Sequence, residues 1–117
     1  MRRGRDAGSG SVYSLISNVS GLMLASFYIL TGRIWVSIGV HAGWNFTQGW
    51  LFGAAVSGTD AFTGGPLSLH PAAGAPAILS GGAFGPEASL AGLLVGTAVG
   101  AACLYRAWRF GRLNSVD

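Results

Sequence analysis

His41, Asn45 and Gln48 stand four and then three residues apart in the stretch IWVSIGVHAGWNFTQGWLFGAAV. On a helix turning about 100° per residue the three fall within about 60° of one another, a polar stripe on an apolar rod. An imidazole and an amide one turn apart are neighbours on a helix surface and can donate to a single acceptor, such as the oxyanion that develops on a carbonyl under attack. The same residue types also hold membrane helices together by interhelical hydrogen bonds, and the pattern alone favours neither role. Other reactive side chains are few. Glu87, the only glutamate, follows Gly85-Pro86; proline suits the first position of a helix and a carboxylate in the first turn complements the helix dipole, so Glu87 has a structural reading. His70 lies in a proline-rich loop without an acidic or cysteine neighbour at ligand spacing and reads as a solvated histidine. Cys103, the single cysteine, allows no intrachain disulfide and no cysteine-based metal site.

The elements that must position these groups are helices in lipid. Half of the 117 residues are hydrophobic, 9% are charged and the mean hydropathy is +0.50, whereas soluble domains carry roughly 25% charged residues. The charges lie at the two ends and between the apolar stretches, as a bilayer sorts them. The sequence pI near 9.8 does not point to nucleic acid, because seven arginines scattered over two tails and a turn make no basic face with interleaved aromatics. A hydrocarbon core needs about 20 mainly apolar helical residues, and the windows 12–30, 34–56 and 86–105 meet or approach that. The predicted fold class is therefore an all-α membrane protein of about three transmembrane helices, with basic tails over 1–11 and 106–117 and an irregular loop over 57–85. A cleaved signal is the rival reading of the first window, but Ser17, Asn18 and Ser20 interrupt it and no small-x-small cleavage site stands out.

Thr31-Gly32-Arg33 predicts a tight turn with Gly32 left-handed, making an antiparallel hairpin of the first two helices. Gly92, Gly96 and Gly100 predict a seam where another helix approaches closely. Ser14, Asn18, Gly21 and Ala25 predict a protein-facing stripe on the first helix, and Gly39 and Gly43 a packing face behind the polar stripe of the second. Trp35 and Trp50 read as interface or packing aromatics. So many packing faces on so little chain predict part of a larger membrane domain. Three spans put Arg33 and the C-terminal arginines on one side against Arg2, Arg3 and Arg5 on the other, which only slightly favours a cytoplasmic C-terminus. His41, eight residues past Arg33, is expected about 12 Å from that turn, and Glu87, at the other membrane face, roughly 15–20 Å from His41 along the normal.

Three segments in order, YILTGRIWVSIGVHAGWNF, QGWLFGAAVSG and LSGGAFGPEASL, resemble the CPBP family of CAAX proteases and bacteriocin-processing enzymes, also called the Abi family. The resemblance runs from Gly21 through Glu87. It implies a C-terminal portion of a CAAX-protease-like helical bundle acting as an intramembrane endopeptidase, in a bacterial cytoplasmic membrane, on a peptide or protein substrate that no residue names. In that family an E-E-x-x-x-R glutamate and an F-x-x-x-H histidine activate water, and the H-x-x-x-N pair forms an oxyanion hole; by resemblance His41 and Asn45 take that last role. Residues 1–117 contain neither of the first two motifs, since Ser37 and Pro66 stand four residues before the two histidines. The expectation is a chain inactive alone, completed by N-terminal helices or another chain; the alternative is a non-catalytic interaction module packing through Gly92, Gly96 and Gly100, or a pseudo-protease. Family members have been classed as metalloproteases, but two histidines on separate elements are too few for a zinc site, so cofactor and metal ligands stay unassigned.

Overall fold

The computed structural model describes residues 7–61 and 63–114, so Arg2, Arg3 and Arg5 of the expected basic N-terminal tail lie outside the described residues. Helix α1 covers Ala7–Thr31 and α2 Ile34–Asn45; α2 runs on into a π-helical segment, Phe46–Leu51. After the loop come a single turn α3, Ala77–Ser80, a 3-10 turn, Pro86–Ala88, and α4, Leu90–Arg109. No strand occurs among the described residues, and the protein is all-α. Ser14–Thr31 and Leu90–Arg109 are each long and apolar enough to cross a membrane.

The surface is what lipid requires. The best-buried residues are small, with Ser26 and Ala107 fully enclosed, while Leu22 is 68%, Leu94 62% and Trp35 76% exposed. Apolar surface on that scale needs a non-aqueous cover. Among these helices α1 is central: it packs chiefly on α4 and also on α2, which stand apart from each other. The glycine seam of α4 makes the first contact possible. A Cβ on Gly96 would lie 3.4 Å from Val19 Cγ1, and one on Gly100 3.5 Å from Met23 Cα, so the seam is occupied by α1 of the same chain. Gly92 serves another purpose, since a Cβ there would meet the Pro86 and Glu87 carbonyls at 2.9 Å.

That packing turns the expected stripe of α1 outward. Ser14, Asn18, Gly21 and Ala25 are exposed, because the residues that ride over the α4 glycines, Val19 and Met23, lie on the other side of the helix. Gly39 and Gly43 likewise face open space among the described residues, with nothing within 4 Å of a Cβ built on either.

The hairpin forms as its turn predicts. Gly32 has φ +67°, and its N–H bonds the Tyr28 carbonyl at 2.7 Å. Ser37 then ties α2 to α1, its hydroxyl donating to the Leu24 carbonyl at 2.7 Å from a buried position. Removing that bond by Ser37→Ala is expected to cost about 1 kcal/mol, visible as a lowered unfolding temperature in detergent. At the same end of the molecule Arg112 Nη1 would lie 3.7 Å from a Cβ on Gly32, bringing the end of α4 against the turn. Arg106 sits over the Phe110 ring at 5.6 Å and Arg109 over Tyr105 at 6.0 Å, cationic and aromatic groups of the kind that gather at a membrane interface.

Four helix boundaries differ from the windows read in the sequence: α1 begins at Ala7, ahead of Val12, α4 runs on to Arg109, past Tyr105, and two more differ for reasons of backbone conformation. The second helix ends at Leu51, short of Val56: Gly53 has φ +64° and turns the chain out, although the apolar run continues. The last helix begins at Leu90, after Pro86: Ser89 is its cap, accepting from the Gly92 N–H at 3.1 Å, and Pro86–Ala88 form their own 3-10 turn.

Candidate functional site

Because α2 and α4 diverge across α1, a groove opens between them, and it holds a cavity of about 480 Å3, within the usual range for a ligand site. Met23, Leu24 and Phe27 of α1 line its floor, and Gly96 and Val99 of α4 one wall. His41, Trp44 and Asn45 of α2 line the other, and Ser57, Phe84 and Glu87 come in from the loop side. The Ser37 bond to α1 sets this arrangement: residues four apart share a helix face, so fixing Ser37 toward α1 brings the positions four and eight residues on toward the same groove. His41 is exposed and Asn45 half-buried, and among the described residues neither side chain has a hydrogen-bond partner. An imidazole and an amide one turn apart therefore face a mainly apolar space with their donors unused.

Gln48, the third member of the polar stripe, does not join them. It is 7% exposed and does not line the cavity; its Nε2 donates to the Ala55 carbonyl at 2.6 Å and its Oε1 accepts from Trp44 Nε1 at 2.7 Å. The reason is the change of winding at Phe46. A π turn closes i to i+5 bonds and so advances less per residue than an α turn, here seen as the Phe52 N–H bonding the Thr47 carbonyl at 3.0 Å. Gln48 thereby becomes a clip that holds the outgoing loop at Ala55 and fixes the indole of Trp44 at the cavity wall.

Glu87 lines the same cavity as His41 and Asn45. Its Oε1 accepts from the Ser57 backbone N–H at 2.6 Å and from the Ser57 hydroxyl at 3.1 Å. No hydrogen bond joins Glu87 to His41 or Asn45. Ser57 has φ +49°, the only non-glycine residue described with a positive φ, a conformation that costs energy and is often retained at functional positions. The contribution of Ser57, Trp44 and Ser37 is absent from the sequence reading; a Ser-Gly pair after an apolar run signals a turn, but nothing in it indicates which carboxylate the turn would hold.

The remaining reactive residues lie elsewhere. His70 is exposed in the loop, its Nε2 2.8 Å from Ser68 Oγ, beside a separate loop cavity that it lines with Asp60. Cys103 is buried in α4 as a free thiol. No three His, Cys, Asp or Glu side chains come together among the described residues.

Residues 9–47 match the family model of the Rce1-like type II CAAX prenyl endopeptidases. The match includes the Thr31-Gly32-Arg33 turn, His41 and Asn45, and ends before the two later segments of the resemblance. No curated protein and no solved structure matches the chain. Over residues 9–47, which carry the H-x-x-x-N pair, the chain is similar to the Rce1-like type II CAAX prenyl endopeptidases, in keeping with the CPBP resemblance.

Proposed function

We propose that this chain supplies the oxyanion-stabilising part of a CPBP-type intramembrane endopeptidase, with His41 and Asn45 as the donors. The observation that carries this reading is their placement: two donors without protein partners among the described residues, one turn apart, on the wall of a mainly apolar cavity between membrane helices. When water adds to a peptide carbonyl its oxygen gains negative charge, and donors already aimed at that position stabilise the transition state more than the substrate. In a site of low dielectric they do so with little competition from solvent. Activation of the water belongs to the E-E-x-x-x-R and F-x-x-x-H motifs of the family, which residues 1–117 do not contain. The partners on this reading are the bilayer, an apolar peptide or protein substrate, and helices or another chain bearing those motifs. The setting is the bacterial cytoplasmic membrane.

The test is binding, since hydrolysis requires the other motifs. In lipid nanodiscs the chain should bind a peptide whose scissile amide is replaced by a phosphinate, a mimic of the tetrahedral oxyanion, at least about tenfold more tightly than the parent peptide. His41→Ala and Asn45→Ala should each remove most of that ratio. Equal affinity for the two peptides would favour the alternative, a pseudo-protease that holds apolar peptides without cutting them.

A further inference from the structure

The cavity has a second polar station. Its wall carries one carboxylate, Glu87, and among the described residues that line it there is no arginine. Arg33, Arg106, Arg109 and Arg112 belong to the turn after α1 and to the end of α4, beyond the far end of the helices from the loop that holds Ser57 and Glu87. Both donors of Ser57 go to a single oxygen, Oε1, which orients the carboxyl group and leaves Oε2 without a hydrogen-bond partner among the described residues. Glu87 is half-buried and its bonds to Ser57 are exposed, and the strongest partner a carboxylate can take is a cation, by a charge-assisted hydrogen bond.

We propose that Glu87 is a specificity-determining residue of this cavity, recognising a lysine or arginine side chain in an otherwise apolar peptide segment. This deepens the proposed function and rests on it: His41 and Asn45 take the carbonyl oxygen on the α2 wall, and Glu87 takes a positively charged side chain at the loop end. The ligand class is an apolar peptide bearing one basic residue. The positive φ of Ser57 fits such a role, because that conformation directs its N–H and hydroxyl together onto Oε1.

The experiment compares three capped peptides of identical leucine-alanine sequence that carry lysine, methionine or glutamate at one position, scanned along the peptide. Each is titrated into the full chain in nanodiscs of neutral lipid. At the best position the lysine peptide should bind about tenfold more tightly than the methionine peptide, the scale of one hydrogen bond to a charged group, and the glutamate peptide should bind worst. Glu87→Gln keeps an acceptor for Ser57 and should bring the lysine-to-methionine ratio to about one. Similar affinities for all three peptides at every position, or a lysine preference that survives Glu87→Gln, would overturn the proposal. This failure is distinct from failure of the oxyanion reading, which is read from the phosphinate-to-amide ratio on a peptide without a basic residue. If Glu87→Gln does not fold, the ranking of the three peptides on the parent chain still decides.

Discussion

Residues 1–117 alone are expected to leave prenylated and unmodified peptides uncut, and to cleave them once a second membrane fragment supplies E-E-x-x-x-R and F-x-x-x-H. The expectation follows from the division of labour in hydrolysis. A stabilised oxyanion without an activated water lacks the contribution of general-base catalysis, typically about 10²–10⁴ in rate, and the chain's only glutamate is held by Ser57 and makes no hydrogen bond to His41 or Asn45. In the reconstituted system His41→Ala or Asn45→Ala should lower kcat by about 10²–10³, the usual cost of one oxyanion donor. KM should change far less, because the donors bind the transition state better than the substrate. The double variant should lose less than the product of the two single losses, since both side chains act on one oxygen. Cleavage by the chain alone that is lost in His41→Ala would reverse the reading, and the cavity carboxylate Glu87 would then be the first candidate base.

The H-x-x-x-N pair was legible in the sequence because it needs only one regular helix: a spacing of four fixes a common face whatever surrounds it. The tight turn at Gly32 was legible for a similar reason, as a local conformation that glycine tolerates. Gln48 was misplaced because periodicity assumes constant winding, and a π segment starts between Asn45 and Gln48. The overlong second helix has the same kind of cause, since hydropathy registers the apolar Leu51–Val56 run but not the left-handed Gly53 inside it.

Longer-range pairings carried even less signal. Ser57 and Glu87 are thirty residues apart across an irregular loop, where no period links one position to another. The glycine seam of α4 was readable as a seam, but the choice of α1 as its occupant depends on the fit of Val19 and Met23 over Gly96 and Gly100. Once that side of α1 is taken, Ser14, Asn18, Gly21 and Ala25 must face outward. The outward-facing small residues of α1 and the open faces at Gly39 and Gly43 are consistent with the proposed completion of the site by further helices.

Gly85→Ala is expected to destabilise the chain by about 3 kcal/mol or more, the largest stability effect among the substitutions considered, through two additive penalties of roughly 1–3 kcal/mol each. Gly85 has φ +123°, where an L side chain is strained, and a Cβ there would lie 2.1 Å from the Ala55 carbonyl oxygen and 3.0 Å from Gln48 Nε2. Those two atoms are the partners in the Gln48–Ala55 hydrogen bond, so the new methyl would push apart the clip that holds the loop and, through Gln48 Oε1, the Trp44 indole. Neither carbonyl nor clip can yield cheaply, because the carbonyl of half-buried Ala55 is the acceptor for buried Gln48, whose amide donor needs a partner. Gly74→Ala is the matched control: φ is +74°, but nothing lies within 4 Å of its Cβ, so only the backbone penalty of about 1 kcal/mol applies. Thermal unfolding of both variants in one detergent should therefore separate them by several degrees, and quenching of Trp44 by acrylamide should rise in Gly85→Ala but not in Gly74→Ala when the other three tryptophans are replaced by phenylalanine. Equal losses of stability in the two variants would show that the Gly85 contact does not hold the loop, and with it the cavity wall, in place.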